Sequence, residues 1–335
     1  MRYVDFVDLK YKPLETDLIC SFFVEPDGIS LKEAAGGVAA ESSVGTWTEL
    51  TTVTPYVERL AARVFSIEGN VAKIAYPIEL FEGGNMPNIL SSVAGNVFGL
   101  RALRTLRLNN IEFPEKLLAS FKGPQFGING IRKLLRVSGR PLVGTIIKPK
   151  LGLKTADHAR VAYEAWAGGC DIVKDDENLS SQSFNPFEGR IVKTLESRDK
   201  AESETGERKV YMANITAETE IMLKRAEFVL EHGGEYVMVD ILTCGFSALQ
   251  TLRDQDFKLV IHAHRAGHAA FTKNPKHGIA MRPIVKVARI IGIDQLHVGT
   301  VVGKMFETKQ EVLEAGLSLL CQLLQADCTH DWFQH

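Results

Sequence analysis

Residues 171–178 read Asp-Ile-Val-Lys-Asp-Asp-Glu-Asn, and this run decides how the chain is read. The apolar residues Cys170, Ile172 and Val173 give a strand signal that ends in Lys174, three successive carboxylates (Asp175, Asp176, Glu177) and the amide of Asn178. Side chains alternate along a strand, so Lys174 and Asp176 face one way, and Glu177 joins them only where strand becomes loop. Loops at the C-terminal ends of strands are where closed and open α/β sheets keep their chemistry. Adjacent acids repel unless a cation sits among them, and hard oxygen donors suit Mg²⁺. A solvated acidic loop with a helix cap is the other reading of the same residues.

Outward from this run, the second half of the chain is regular. Short apolar, partly β-branched runs occupy 141–147, 170–174, 209–215, 236–242, 258–264 and 295–300, with helical periodicity between them, as at 157–167 and 218–232. Strands alternating with helices predict βα units and a parallel sheet. Either a (β/α)8 barrel or a doubly wound sheet satisfies this. The missing GxGxxG fingerprint speaks against dinucleotide binding, and six strands are visible where a full barrel has eight. Before residue 125 the pattern is α+β: strand-like runs at 18–24, 71–77 and 100–108, a helical segment at 54–64, and a glycine-rich stretch at 83–99. The expected organisation is an N-terminal α+β domain over 1–125 and a barrel domain over 126–335.

Composition narrows the function. The chain has 335 residues, 45% of them hydrophobic, enough for a large core. A net charge of -2 gives no electrostatic reason to expect nucleic acid or a membrane surface. Five cysteines without paired spacing suit free thiols in a reducing compartment. With no apolar leader and no run of membrane-spanning length, the expectation is a cytoplasmic protein.

The other polar clusters also close strand signals. Ile146-Ile-Lys-Pro-Lys150 places Lys148 and Lys150 around a stiff proline turn. His262-Ala-His-Arg265 puts two histidines on one strand face beside an arginine, which suits anion binding or proton transfer as well as packing. His297-Val-Gly-Thr-Val-Val-Gly-Lys304 reads as a glycine-flanked mobile lid ending in a cation, or as an ordinary βα loop. A barrel would converge all these ends on one mouth.

Together, Gly144-Thr-Ile-Ile-Lys-Pro-Lys-Leu-Gly152, the 174–178 run, 262–268 and 297–304 resemble the large subunit of ribulose-1,5-bisphosphate carboxylase/oxygenase. Ala39-Ala-Glu-Ser-Ser-Val-Gly-Thr-Trp47 and Gly95-Asn-Val-Phe-Gly99 resemble its N-terminal domain. The likeness spans about residues 10–310 and is closest to the archaeal type. It implies carboxylation and oxygenation of ribulose-1,5-bisphosphate, the former yielding 3-phosphoglycerate. Lys174 would be carbamylated by an activator CO₂ and would join Asp176 and Glu177 in holding Mg²⁺, which stabilises an enediolate. The carbamate would remove the C3 proton, and Lys148 would handle protons at the carboxylated intermediate. Lys150 would support the metal site, His264 would bind a substrate hydroxyl, Arg265 and His297 would grip a phosphate, and Lys304 would close over CO₂. Glu41, Thr46, Trp47 and Asn96 would reach a neighbouring subunit's active site, making a homodimer the smallest functional unit.

Two departures qualify the resemblance. Ile146 stands where the family commonly has threonine. No Ser-Gly-Gly or Gly-Gly-Gly run follows Lys304, and 314–335 looks unlike the family, its Cys321, Cys328, His330 and His335 forming no metal motif. The expectation is a C-terminally truncated or frame-altered product with two open sheet edges. Besides a carboxylase, the sequence leaves open a related enolase or isomerase and a catalytically inactive fragment serving as an assembly partner.

Overall fold

The structure is a computed structural model that describes residues 2–45, 48, 51–301 and 306–321, the last four by backbone alone. It separates into two compact units: residues up to 121 with 267–290 and the described residues from 298 on, and residues 122–266 with 291–297.

The first unit is built on a five-stranded sheet of β1 (Leu18–Pro26), β2 (Arg63–Glu68), β3 (Val71–Tyr76), β4 (Leu103–Glu112) and the much later β10 (Gly278–Ile279), in the order β10-β4-β1-β3-β2. Strand β1 is central and alternates faces: Leu18, Cys20, Phe22 and Val24 are buried while their neighbours are partly exposed. The helix expected at 54–64 is cut to Pro55–Arg59, capped by the Thr54 hydroxyl. Arg63 onward is strand instead, because Val64 and its neighbours pair antiparallel with β3 across the two-residue turn Gly69-Asn70. Gly69 takes φ +56° there, the left-handed conformation such a hairpin needs. The glycine-rich stretch at 83–99 also holds a helix, Met86–Val93, started by the Asn85 side chain and burying Met86, Ile89 and Val93.

The second unit holds a six-stranded parallel sheet of β5 (Gly144–Ile146), β6 (Ile172–Lys174), β7 (Val210–Asn214), β8 (Tyr236–Asp240), β9 (Val260–His264) and β11 (Gln295–Leu296). Its strands follow one another in the order β5-β6-β7-β8-β9-β11, all parallel. A doubly wound sheet reverses its strand order at a switch point; this one never does, so the winding is that of a barrel. Helices Thr155–Ala167, Phe187–Thr205, Thr219–Glu231 and Gly245–Asp254 form the crossovers.

Helix Gly127–Leu135 seals the strands' starting ends. Its Ile131 and Leu135, one turn apart, pack on Ile172, Val210, Tyr236 and Val260, the first residues of β6 to β9, and on Met212. Each such burial stabilises by about 1.5–3 kcal/mol. The helix start is held by Asp294, whose Oδ1 accepts from the backbone N–H groups of Phe126 (2.6 Å) and Gly127 (3.1 Å). With one end of the sheet closed by apolar packing, the polar chemistry is left to the other. No helix among the described residues is long and apolar enough to cross a membrane.

Candidate active site

Every strand of the second unit finishes on, or within two residues of, a polar residue. Lys148 follows β5, Lys174 ends β6, Asn214 ends β7, Asp240 ends β8, His264 ends β9 and His297 follows β11. A parallel sheet brings all these ends to the same side, so residues far apart in sequence share one region.

Strand β6 stops at Lys174 and the chain turns, with Leu179 N–H donating to the Asp176 carbonyl at 3.1 Å. Lys174 is 3% exposed; its Nζ donates to the Asp175 carbonyl at 2.7 Å and lies 3.3 Å from Met238 Sδ. Burial lowers its pKa, against the pull of Glu177, Asp175, Asp176 and Asp240. Asp176 is buried, and Lys148 Nζ donates to its Oδ2 at 2.5 Å while the Asn178 side chain and N–H donate to Oδ1. Burial alone would raise this carboxyl; those donors outweigh it and hold the pKa at about 2. Asp175 points the opposite way, fully buried. There burial is again opposed, by the Arg190 guanidinium, the His158 ring and the Tyr211 hydroxyl, and its pKa is also about 2.

The His264 ring sits between two carboxylates, with Nδ1 2.9 Å from Asp240 Oδ1 and Nε2 3.8 Å from Glu177 Oε2. His297 stands edge-on to both His262 and His264, at centroid distances of 4.5 and 5.3 Å. Burial, and then the charges of His264, Lys174 and Arg265, lower the His297 pKa to about 3, so the ring is neutral near pH 7. Arg265 is 6% exposed, whereas Lys148 and Lys150 are exposed.

Thus Lys148, Lys174, Asp176, Glu177, His264 and His297 gather at these strand ends. Glu41, the last residue of helix Leu31–Glu41, and Asn96, the first of the turn Asn96–Gly99, belong to the first unit. Thr46, Trp47 and Lys304 lie outside the described residues, as do Cys328, His330 and His335 of the tail and the side chain of Cys321.

The sequence reading passed over Asp240 and Asn214. Both close apolar runs, Tyr-Val-Met-Val-Asp and Val-Tyr-Met-Ala-Asn, and that same signal marked Lys174 and His264.

Two family models describe this arrangement. Residues 5–117 match the N-terminal domain of the ribulose bisphosphate carboxylase large chain, and residues 127–333 match its catalytic domain. The chain belongs to the ribulose bisphosphate carboxylase large chain family. The catalytic-domain match continues to residue 333, so it includes most of the 314–335 segment that the sequence reading set apart from the family. A ribulose bisphosphate carboxylase of Methanocaldococcus jannaschii is 48% identical over 345 residues, covering 98% of this chain and 81% of that one. The sulfate complex of the octameric Rubisco of Pyrococcus horikoshii superposes with a TM-score of 0.91 at 51% identity, covering 94% of this chain and 76% of its own. The dimeric Rubisco of Hyperthermus butylicus does so with 0.90 at 44%, covering 99% and 78%. The chain therefore carries the catalytic domain of an enzyme family whose archaeal members it resembles along most of its length.

Proposed function

We propose that this chain carboxylates ribulose-1,5-bisphosphate to 3-phosphoglycerate at the strand ends of the second unit, and that O₂ competes with CO₂ there. The observation that supports this best is Lys174: a buried primary amine between acids, with its proton affinity lowered by desolvation. Only the unprotonated amine can attack the carbon of CO₂; forming the N–C bond releases a proton and leaves an anionic carbamate oxygen donor beside Asp176 and Glu177.

Among the described residues, no group of three or more His, Cys, Asp and Glu side chains could hold a metal. Two carboxylates next to a modifiable lysine fit Mg²⁺ once the lysine supplies the third oxygen. Bound there with the carbamate, Mg²⁺ would polarise the central oxygens of the sugar and stabilise the negative charge that follows loss of the C3 proton.

The chain's own groups divide the remaining work. Lys148, placed by the turn after β5, holds a proton on Nζ and delivers it where the carboxylated carbon chain is cleaved. Lys150 adds positive charge beside the acids. The His264 ring, set between Asp240 and Glu177, receives a substrate hydroxyl and moves its proton. Arg265 and the neutral His297 hold a phosphate by hydrogen bonds, the arginine with two parallel donors. Lys304 would close over the incoming gas and stabilise the new carboxylate. Glu41, Thr46, Trp47 and Asn96 would complete a partner's site, so the working unit would be a homodimer or an assembly of dimers, in the cytoplasm.

The test is to incubate purified protein with Mg²⁺, bicarbonate and ribulose-1,5-bisphosphate and to assay 3-phosphoglycerate. Its appearance supports the proposal. A sugar-phosphate isomer in its place would instead assign a related enolase or isomerase, and no product from a folded dimer would leave an assembly role.

A further inference from the structure

The acidic run has a frame built beneath it. Asp175, between two residues that point into the mouth, turns away and accepts four hydrogen bonds. These come from His158 Nε2 (3.0 Å) and Tyr211 OH (2.7 Å) on Oδ1, and from Arg190 Nε (3.2 Å) and Asn214 N–H (3.0 Å) on Oδ2. The donors come from three elements: helix Thr155–Ala167, helix Phe187–Thr205 and β7. Asn214 then reaches the far side of the turn. Its Nδ2 lies 3.3, 3.0 and 3.0 Å from the carbonyls of Asp176, Glu177 and Leu179, and its Oδ1 accepts from Thr216 N–H at 3.0 Å. Asn214 is 1% exposed, so its amide has these carbonyls and no solvent to serve. Two amide hydrogens shared among three carbonyls hold the turn at several points.

We propose that Asp175 and Asn214 are positioning residues that set the backbone of 174–179 so that Lys174, Asp176 and Glu177 are presented together to a cation. This rests on the reading of Lys174, Asp176 and Glu177 given above, and adds residues that touch neither substrate nor ion. The physical need is plain: adjacent carboxylates repel, and a loose turn would relax by swinging them apart, losing the joint geometry on which an octahedral ion depends. A role in core packing alone would not require the amide to contact the carbonyls of the ligand residues themselves.

The experiment follows carbamate formation instead of turnover. Full-length protein is incubated with ¹³C-bicarbonate, and the carbamate carbon is observed by NMR as Mg²⁺ is raised. Parent, Asn214→Ala, Tyr211→Phe and the exposed control Arg160→Ala are compared, with thermal melting of the metal-free proteins to check folding. Asn214→Ala is expected to raise the Mg²⁺ concentration for half-formation about 10-fold, within the range found for outer-shell partners of metal ligands. Tyr211→Phe, which removes one of the four donors to Asp175, gives a smaller rise, and Arg160→Ala gives none. Half-formation within twofold of the parent in both frame variants overturns the proposal. Tyr211→Phe, which keeps the ring, decides the matter alone if Asn214→Ala does not fold. A parent that forms no carbamate refutes the reading of Lys174 itself, a different and recognisable result.

Discussion

Lys148 Nζ donates to Asp176 Oδ2 at 2.5 Å, joining the ends of two neighbouring parallel strands across 28 positions of sequence. The carboxylate is buried and the lysine side chain is 58% exposed, so the ammonium reaches in from the solvent side. A cation held by Asp176 must share that carboxylate with Lys148 or replace it there. The same lysine is thereby within reach of anything the cation binds.

Replacing Lys148 with Met leaves the Asp176 carboxylate its two Asn178 donors and should lower kcat by about 10²–10⁴, the range for a lost proton-transfer group. Lys148→Arg keeps the charge but yields no proton near neutral pH, and should not restore turnover. Steady-state product formation with a thermal melt separates these effects from misfolding; near-parental rates in Lys148→Arg would remove the proton-transfer role.

Lys174→Ala and Lys174→Arg should both abolish product formation and the ¹³C carbamate signal, since neither side chain can be carbamylated. Turnover that survives in either variant would show that the third oxygen donor does not come from this lysine.

Arg253 Nη2 donates to Asp294 Oδ2 at 2.7 Å, where Ile261 N–H also donates at 3.0 Å, while Oδ1 caps helix Gly127–Leu135. Both side chains are nearly fully buried. Arg253→Ala strands a buried carboxylate and should cost about 3–5 kcal/mol, read as a lower urea midpoint. A change below about 1 kcal/mol would mean that the backbone donors suffice.

Lys286 in the first unit is 7% exposed and donates to the Ile111 carbonyl at 2.8 Å. Burial, and then Arg282, lower its pKa from 10.5 to about 8, against Glu112 and Cys20. Between those values the unfolded chain binds a proton that the folded one has released, so this group makes stability rise with pH from about 8 to 10.5. The full effect is about 3 kcal/mol at most, from 1.36 kcal/mol per pH unit. Lys286→Met lacks it, so the stability of the variant relative to the parent should fall across that window in denaturant titrations. A constant difference would mean that Lys286 titrates normally.

Much of this was legible without coordinates. Apolar runs ending in Lys174, His264 and at His297 announced strand ends carrying chemistry, because a buried strand is apolar along its length and polar only where it emerges. What could not be read were pairings whose energy lies between distant segments. Arg63–Glu68 is a strand because β3 offers it backbone partners, although its first two residues, Arg63 and Val64, fall in the segment with helical periodicity. Gly278–Ile279 joins β4 of the first unit although it follows β9 in sequence. Asn214 looked like the end of one more strand, and its contacts with three carbonyls of another loop exist only after β6 and β7 pair.

The sequence by itself determined that Lys148, Lys174, His264 and His297 fall at or just past strand termini, since side-chain type and periodicity are local properties. Tertiary structure decided that the strands wind in one direction without a switch point, that Lys148 meets Asp176, and that Asp175 faces away into a set of four donors. Hydrogen bonds and ion pairs depend on distance in space, and only the packing of the sheet and its helices brings these groups within reach of one another.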